Sequence, residues 1–298
     1  MTSGAPELTE KKRALVLGGG GPVGRAWQSG LVATLAAEGV MLRSADLILG
    51  TSAGAIVGAQ LALELDLTVA APPPGQSVTA STPSNAMALL VKAMAQATRS
   101  SAPEIQRRDI GRMALDAATM SEEQSLQRLD FLAQREWPAN VRATAVNART
   151  GESIVWHRGS GVPLERGVAS SCALPGVWPP ITIKGDRYMD GGVRSMLNAD
   201  LATGYAAVIV VSCFTLVLPA GVKDADQEAM NASLDAEIAR LREQGASVDV
   251  ITPSAEFLDL TRYGARMLDV SLASEAFQIG ARQAVQQAIH VDAVWRQV

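Results

Sequence analysis

Two short stretches carry residues that suit nucleophilic chemistry. GTSAG, residues 50–54, holds Ser52 between glycines in the pattern GxSxG. YMDGG, residues 188–192, holds Asp190 ahead of Gly191 and Gly192. A serine on a sharp strand-to-helix turn is a nucleophile held clear of its own backbone. Glycines at Gly50 and Gly54 permit that turn, and the helix beginning after Ser52 aims its positive end at the serine oxygen. The competing structural role for Ser52 is a helix N-cap, worth about 1 kcal/mol and no chemistry.

A serine nucleophile needs a base. The chain has two histidines, His157 at the end of ESIVWH and His290 in AIHVDAVW. Ser52, Asp190 and His290 follow the Ser–acid–His order of an α/β-hydrolase. That fold builds several strands before its nucleophile, whereas one clear strand precedes DLILG here. Asp190 is the other base: the two glycines after it let the carboxylate swing into a cleft, and desolvation would raise its basicity. An Asx-type turn is its plain structural alternative.

A third stretch, GGGGPVG at 18–24, sits between a strand and a helix. Consecutive backbone N–H groups at a helix start form an anion site, open to a phosphate, a pyrophosphate or an oxyanion. A phosphate-binding Walker loop needs Lys then Ser or Thr at the helix start, and Arg25 and Ala26 stand there instead. The dinucleotide pattern GxGxxG is met by Gly19, Gly21 and Gly24. The acidic residue expected about 20 positions on is missing from the end of the second strand.

These stretches must be held by an alternating framework. RALVLGG (13–19) reads as a buried strand, and 24–39 as a helix with Trp27, Leu31 and Leu35 on one face. DLILG (46–50) is the next strand and 53–65 the next helix. Strands resume at 141–148 and 152–157, joined by a turn at Thr150-Gly151, then before DGG and at 206–214 and 248–252. Helices are expected at 233–245 and 274–290. The alternation implies a mostly parallel sheet covered on both faces. One domain is expected over 1–298, with 1–11 a frayed tail, 71–85 a loop rich in Pro, Ser and Thr, and 71–136 a helical insertion.

Taken together, GGGGPVGRAWQSGL, GTSAGA, SCALPG and DGG, in this order, resemble the patatin-like phospholipases. The resemblance covers most of 13–215. It implies a three-layer α/β/α sandwich and lipid acyl hydrolysis by a Ser–Asp dyad, the alternatives being a non-catalytic lipid- or protein-binding module on the same fold and a Ser–His–Asp esterase. In the dyad reading Ser52 is the nucleophile, Asp190 the base, and the N–H groups of Gly19, Gly20 and Gly21 the oxyanion hole, supported by Gly50, Gly54, Gly191 and Gly192. It implies no metal and no cofactor, a lipid ester substrate, and peripheral contact with a membrane surface. One departure stands out: many members carry Arg or Lys before the last glycine of the first motif, where this chain has Pro22-Val23. That removes a cation near a lipid phosphate, leaves neutral esters and acylglycerols open, and leaves Arg25 two positions further on.

The bulk properties narrow the classes. Net charge is −4, with acidic and basic residues interspersed, so no basic field draws in nucleic acid. Cys172 and Cys213 make no disulfide framework and no metal spacing, which points to a reducing cytoplasm. No apolar run reaches the roughly 18 residues of a spanning helix. Cys172 reads as a small packed residue. Met87, Leu89, Leu90, Val91 and Met94 read as a helix face, with a lid over 86–97 as the functional alternative, and Arg107, Arg108 and Arg112 as a solvated basic face.

Overall fold

The computed structural model describes residues 12–68, 102–214 and 225–296. Eight strands form one sheet: β1 (Arg13–Leu17), β2 (Leu47–Gly50), β3 (Val141–Asn147), β4 (Ser153–Trp156), β5 (Ile181–Ile183), β6 (Asp186–Asp190), β7 (Ala207–Val211) and β8 (Ser247–Ile251). The order is β5-β6-β3-β2-β1-β7-β8, with β4 also on β3. β3, β2, β1, β7 and β8 are parallel in sequence of contact. β4 and β6 join β3 antiparallel, and β5 joins β6 antiparallel.

Eight α-helices are described: α1 (Gly21–Ala37), α2 (Ala53–Ala62), α3 (Pro103–Asp116), α4 (Glu122–Gln127), α5 (Leu164–Ser171), α6 (Ala225–Glu243), α7 (Ala255–Thr261) and α8 (Ala273–Trp295). The strands are apolar on both faces because helices cover both. Leu15, Leu17, Ile48 and Ile209 point into a cluster with Trp27, Leu31 and Leu35 of α1, Val57 of α2 and Ile279 of α8. Alternate residues Ala14, Val16, Leu49, Val208 and Val210 meet Leu234, Ile238 and Leu241 of α6. This period of two yields three layers, helices, sheet, helices. α3 extends the second layer, setting Ile110 and Ala114 against Val146 and Met189.

The alternation expected from the sequence is present, with differences at element edges. α1 begins at Gly21, inside the glycine stretch, not at Gly24. Pro22 needs no N–H partner and is preorganised for a first turn, so it starts the helix early. α5, β5 and α7 lie outside the elements read from the sequence. Each is short, eight, three and seven residues, too short for a period to declare itself. The hairpin at Thr150-Gly151 forms, closed by Gly151 N–H donating to Asn147 O at 2.9 Å. The 1–11 tail, the 71–85 loop and the 86–97 lid fall outside the described residues, as does the 71–136 segment before residue 102. Among the described residues no helix is long and apolar enough to cross a membrane.

Candidate active site

The register of β3 explains why Ser52 and Asp190 meet, although 138 residues separate them. β3 pairs with β2 through Val141–Ala143 and with β6 through Ala145–Asn147. β4 pairs across Ala143–Val146, overlapping both, so it occupies the opposite edge. β2 and β6 therefore share one edge of β3, and they run toward each other. Gly50 ends β2 opposite Ala143, and Asp190 ends β6 opposite Ala145. The two motif turns leave the sheet at one point, with Thr144 between them.

Ser52 stands at the N-cap position of α2, with φ 54° and ψ −119°. A non-glycine residue in this region costs about 1–3 kcal/mol and needs its surroundings to hold it there. Its side chain makes no capping bond to α2. The hydroxyl instead donates to Asp190 Oδ2 at 2.7 Å. Asp190 Oδ1 accepts from Gly192 N–H, also at 2.7 Å. Ser52 is 7% exposed and Asp190 1%. Burial pushes the Asp190 carboxyl up to about 7, against the pull of its bonds from Ser52 and Gly192.

Three consecutive residues clamp the pair. Ser171 Oγ accepts the Ser52 N–H at 2.9 Å, the Cys172 thiol donates to Ser52 O at 3.2 Å, and Ala173 O accepts the Asp190 N–H at 3.0 Å. Cys172 is thus a packing and bonding residue. Burial, and Asp190 nearby, push its thiol up, so it stays protonated. Below the turn, Thr51 and Thr144 hydroxyls bond at 2.9 Å. Asn198 Nδ2 reaches Thr51 Oγ1 at 3.0 Å, Gly191 O at 3.3 Å and Ser195 O at 2.6 Å. Its Oδ1 accepts from Arg194, which is paired with Asp200. One buried side chain thereby ties the serine turn to the aspartate turn. The sequence reading missed Thr51, Thr144, Ser171 and Asn198. No local pattern marks them, because each acts across the sheet.

Gly54 is where α2 crosses β1. A Cβ there would lie 2.1 Å from Leu17 O, a backbone atom that cannot step aside. Gly54→Ala is expected to destabilise the protein by more than about 3 kcal/mol, read as a lowered midpoint in urea unfolding.

The glycine stretch lies beside this pair. A Cβ on Gly19 would sit 3.5 Å from Ser52 Cβ. Gly19 is one of the three expected oxyanion donors. Its N–H already donates to Met196 O at 2.8 Å. The N–H groups of Gly20 and Gly21 have no acceptor among the described residues, and neither has that of Ala53, next to the serine. Pro22 removes a competing donor. Gly20 is obligatory for space: a Cβ would lie 2.5 Å from Cys213 Sγ.

Neither histidine reaches the pair. His157 Nδ1 accepts from Gly159 N–H in its own turn. His290 has a side chain 71% exposed and lies 3.2 Å from Asp249. Among the described residues no cluster of three or more His, Cys, Asp or Glu side chains could hold a metal. The basic cluster on α3 is partly committed: Arg107 bonds Gly151 O at 2.7 Å and Arg112 pairs with Asp109 at 3.3 Å.

A family model described as patatin-like phospholipase matches residues 15–203. The chain belongs to the patatin-like phospholipase family. The match runs from β1 through the Ser52 and Asp190 turns to Asn198 and the short helix after it. Membership in the patatin-like phospholipases places the chain broadly among lipid acyl hydrolases, whose substrates are lipids. Among solved structures, VipD from Legionella pneumophila is similar at a TM-score of 0.43 and 12% identity, over 96% of this chain and 67% of that one. A search of curated proteins finds no match.

Proposed function

We propose that this patatin-like protein hydrolyses lipid esters through a Ser52–Asp190 dyad and an acyl-enzyme. The observation that carries the reading is the 2.7 Å hydrogen bond from Ser52 Oγ to a carboxylate that is 1% exposed. A buried carboxyl near pH 7 is far more basic than an ordinary one near 4, which suits it to take the serine proton.

Ser52 Oγ attacks the ester carbonyl carbon while its proton passes to Asp190 Oδ2. The carbonyl oxygen takes the negative charge and is met by the N–H groups of Gly20 and Gly21, with Ala53 N–H following the nucleophile. The intermediate collapses, the C–O bond to the alcohol breaks, and Asp190 returns the proton to that oxygen. A water then gives its proton to Asp190 and attacks the acyl carbon. Fatty acid leaves, and Ser52 regains its hydrogen.

A fluorophosphonate probe tests the nucleophile directly. Labelling located by mass spectrometry on the peptide holding Ser52, together with turnover of p-nitrophenyl butyrate, is expected. Absence of both in folded protein would overturn the reading. A histidine-dependent esterase is the competing mechanism. His157→Ala combined with His290→Ala is expected to change kcat/KM by less than about threefold, since neither ring bonds to the dyad. A fall of a thousandfold would restore a triad.

A further inference from the structure

Arg25 and Arg128 flank one turn beside the dyad. Arg25, on the second turn of α1, has its guanidinium carbon 5.5 Å over the Phe131 ring. One Nη2 hydrogen goes to Gln60 Oε1 at 3.1 Å, and its buried Nε has no acceptor. Arg128, three residues before Phe131, has its guanidinium carbon 4.4 Å over the Trp178 ring. Among the described residues neither arginine has a carboxylate partner.

This turn leads to the nucleophile. Its short helix, residues 130–132, packs against α5, whose C-cap is Cys172, and the Cys172 thiol bonds Ser52 O. Both guanidiniums and Asp190 act electrostatically on that thiol. Burial brings Arg25 down to about 10, so it remains a cation at neutral pH. Two cations close together with no carboxylate on either among the described residues are costly, and a bound anion would offset that cost. Stacking on a ring uses the face of a guanidinium and leaves its N–H edge available. Two such edges offer more donors than a carboxylate's two oxygens can take. A tetrahedral phosphate has the oxygens to match.

We propose that Arg25 and Arg128 form an anion subsite beside Ser52 that holds the phosphate of a phosphate-bearing lipid ester. The proposal rests on the hydrolase reading for what lies in the cleft. It assigns to this chain the cation that Val23 fails to supply, from a different place in the fold.

Binding can be measured without turnover in the Ser52→Ala protein. Soluble dihexanoylphosphatidic acid, dihexanoylglycerol and inorganic phosphate would each be titrated by calorimetry. Phosphatidic acid is expected to bind about tenfold or more tighter than the diacylglycerol, one charge-assisted contact being worth roughly that factor. Adding Arg128→Gln or Arg25→Gln should raise the phosphatidic acid Kd about tenfold more than the diacylglycerol Kd. Arg25→Lys, which keeps the charge and loses the fork, should fall between, and it serves if Arg25→Gln unfolds. Equal affinity for the two lipids, or an unchanged ratio in Arg128→Gln and Arg25→Lys, would overturn the subsite. Inorganic phosphate binding as tightly as the lipid would overturn the lipid as its occupant. Lipid binding lost with Arg128 in a protein whose Ser52-intact form never hydrolyses would uphold the subsite and reject the hydrolase reading.

Discussion

Ser52→Ala is expected to lower kcat/KM for an ester by about four orders of magnitude or more, the loss seen when a nucleophile that works as a unit with its base is removed. Nothing else in the described site replaces it. Cys172 lies one bond from the turn, yet its thiol is held protonated by burial and is spent on Ser52 O. The backbone makes a second expectation. Ser52 sits at φ 54° and ψ −119°, a region open to glycine and strained for alanine and serine alike. Ser52→Gly should be as inactive as Ser52→Ala yet more stable than it by about 1 kcal/mol, after the added chain entropy of glycine is subtracted. Ester kinetics and urea unfolding of the two variants give both answers. Equal stability would show that the turn stores no strain, and residual turnover in both would remove Ser52 as nucleophile.

Asp190→Asn should cost about three to four orders of magnitude in kcat/KM, because an amide keeps the shape and cannot take a proton. In the parent protein kcat/KM should rise with pH, one log unit per unit, and level off above about 7 as the carboxyl ionises. The small rate left in Asp190→Asn should not show that rise. Stability should run the other way. The folded carboxyl near 7 lies above the unfolded value near 3.9, so the folded state holds the extra proton between those limits. Stability from this group is complete below about pH 4 and is lost as pH rises through about 7, roughly 4 kcal/mol in all. Asp190→Asn escapes that loss. It should be more stable than the parent at pH 8 by an amount on the order of a few kcal/mol, with the gain shrinking toward pH 5. Unfolding at the two pH values would measure it. An unchanged rate in Asp190→Asn would sink the dyad, and a stability gain independent of pH would sink the buried-carboxyl account.

The sequence alone determined the local features. Short apolar runs, closed by glycine at β1 and β2 and β-branched from Val208 onward at β7, set these three strands, because a strand buried on both faces is written with such residues. GxSxG after β2 set the serine turn, since α2 crosses β1 closely enough to exclude any side chain at Gly54. The motifs also pointed to the family and to Ser52 and Asp190 as candidates. The tertiary structure decided which groups act together. β2 and β6 share an edge of β3, which brings Ser52 within 2.7 Å of Asp190 and leaves both histidines elsewhere. Met196 O takes the Gly19 N–H and leaves those of Gly20 and Gly21. Asn198, Ser171 and Ala173 lock the two turns, and Arg25 meets the turn that carries Arg128. These are contacts between residues far apart in the chain. Hydrophobic period and turn chemistry act over a few neighbours, so they write elements into the sequence; the register of one strand against another, and the donor that finds an acceptor across it, exist only once the layers have packed.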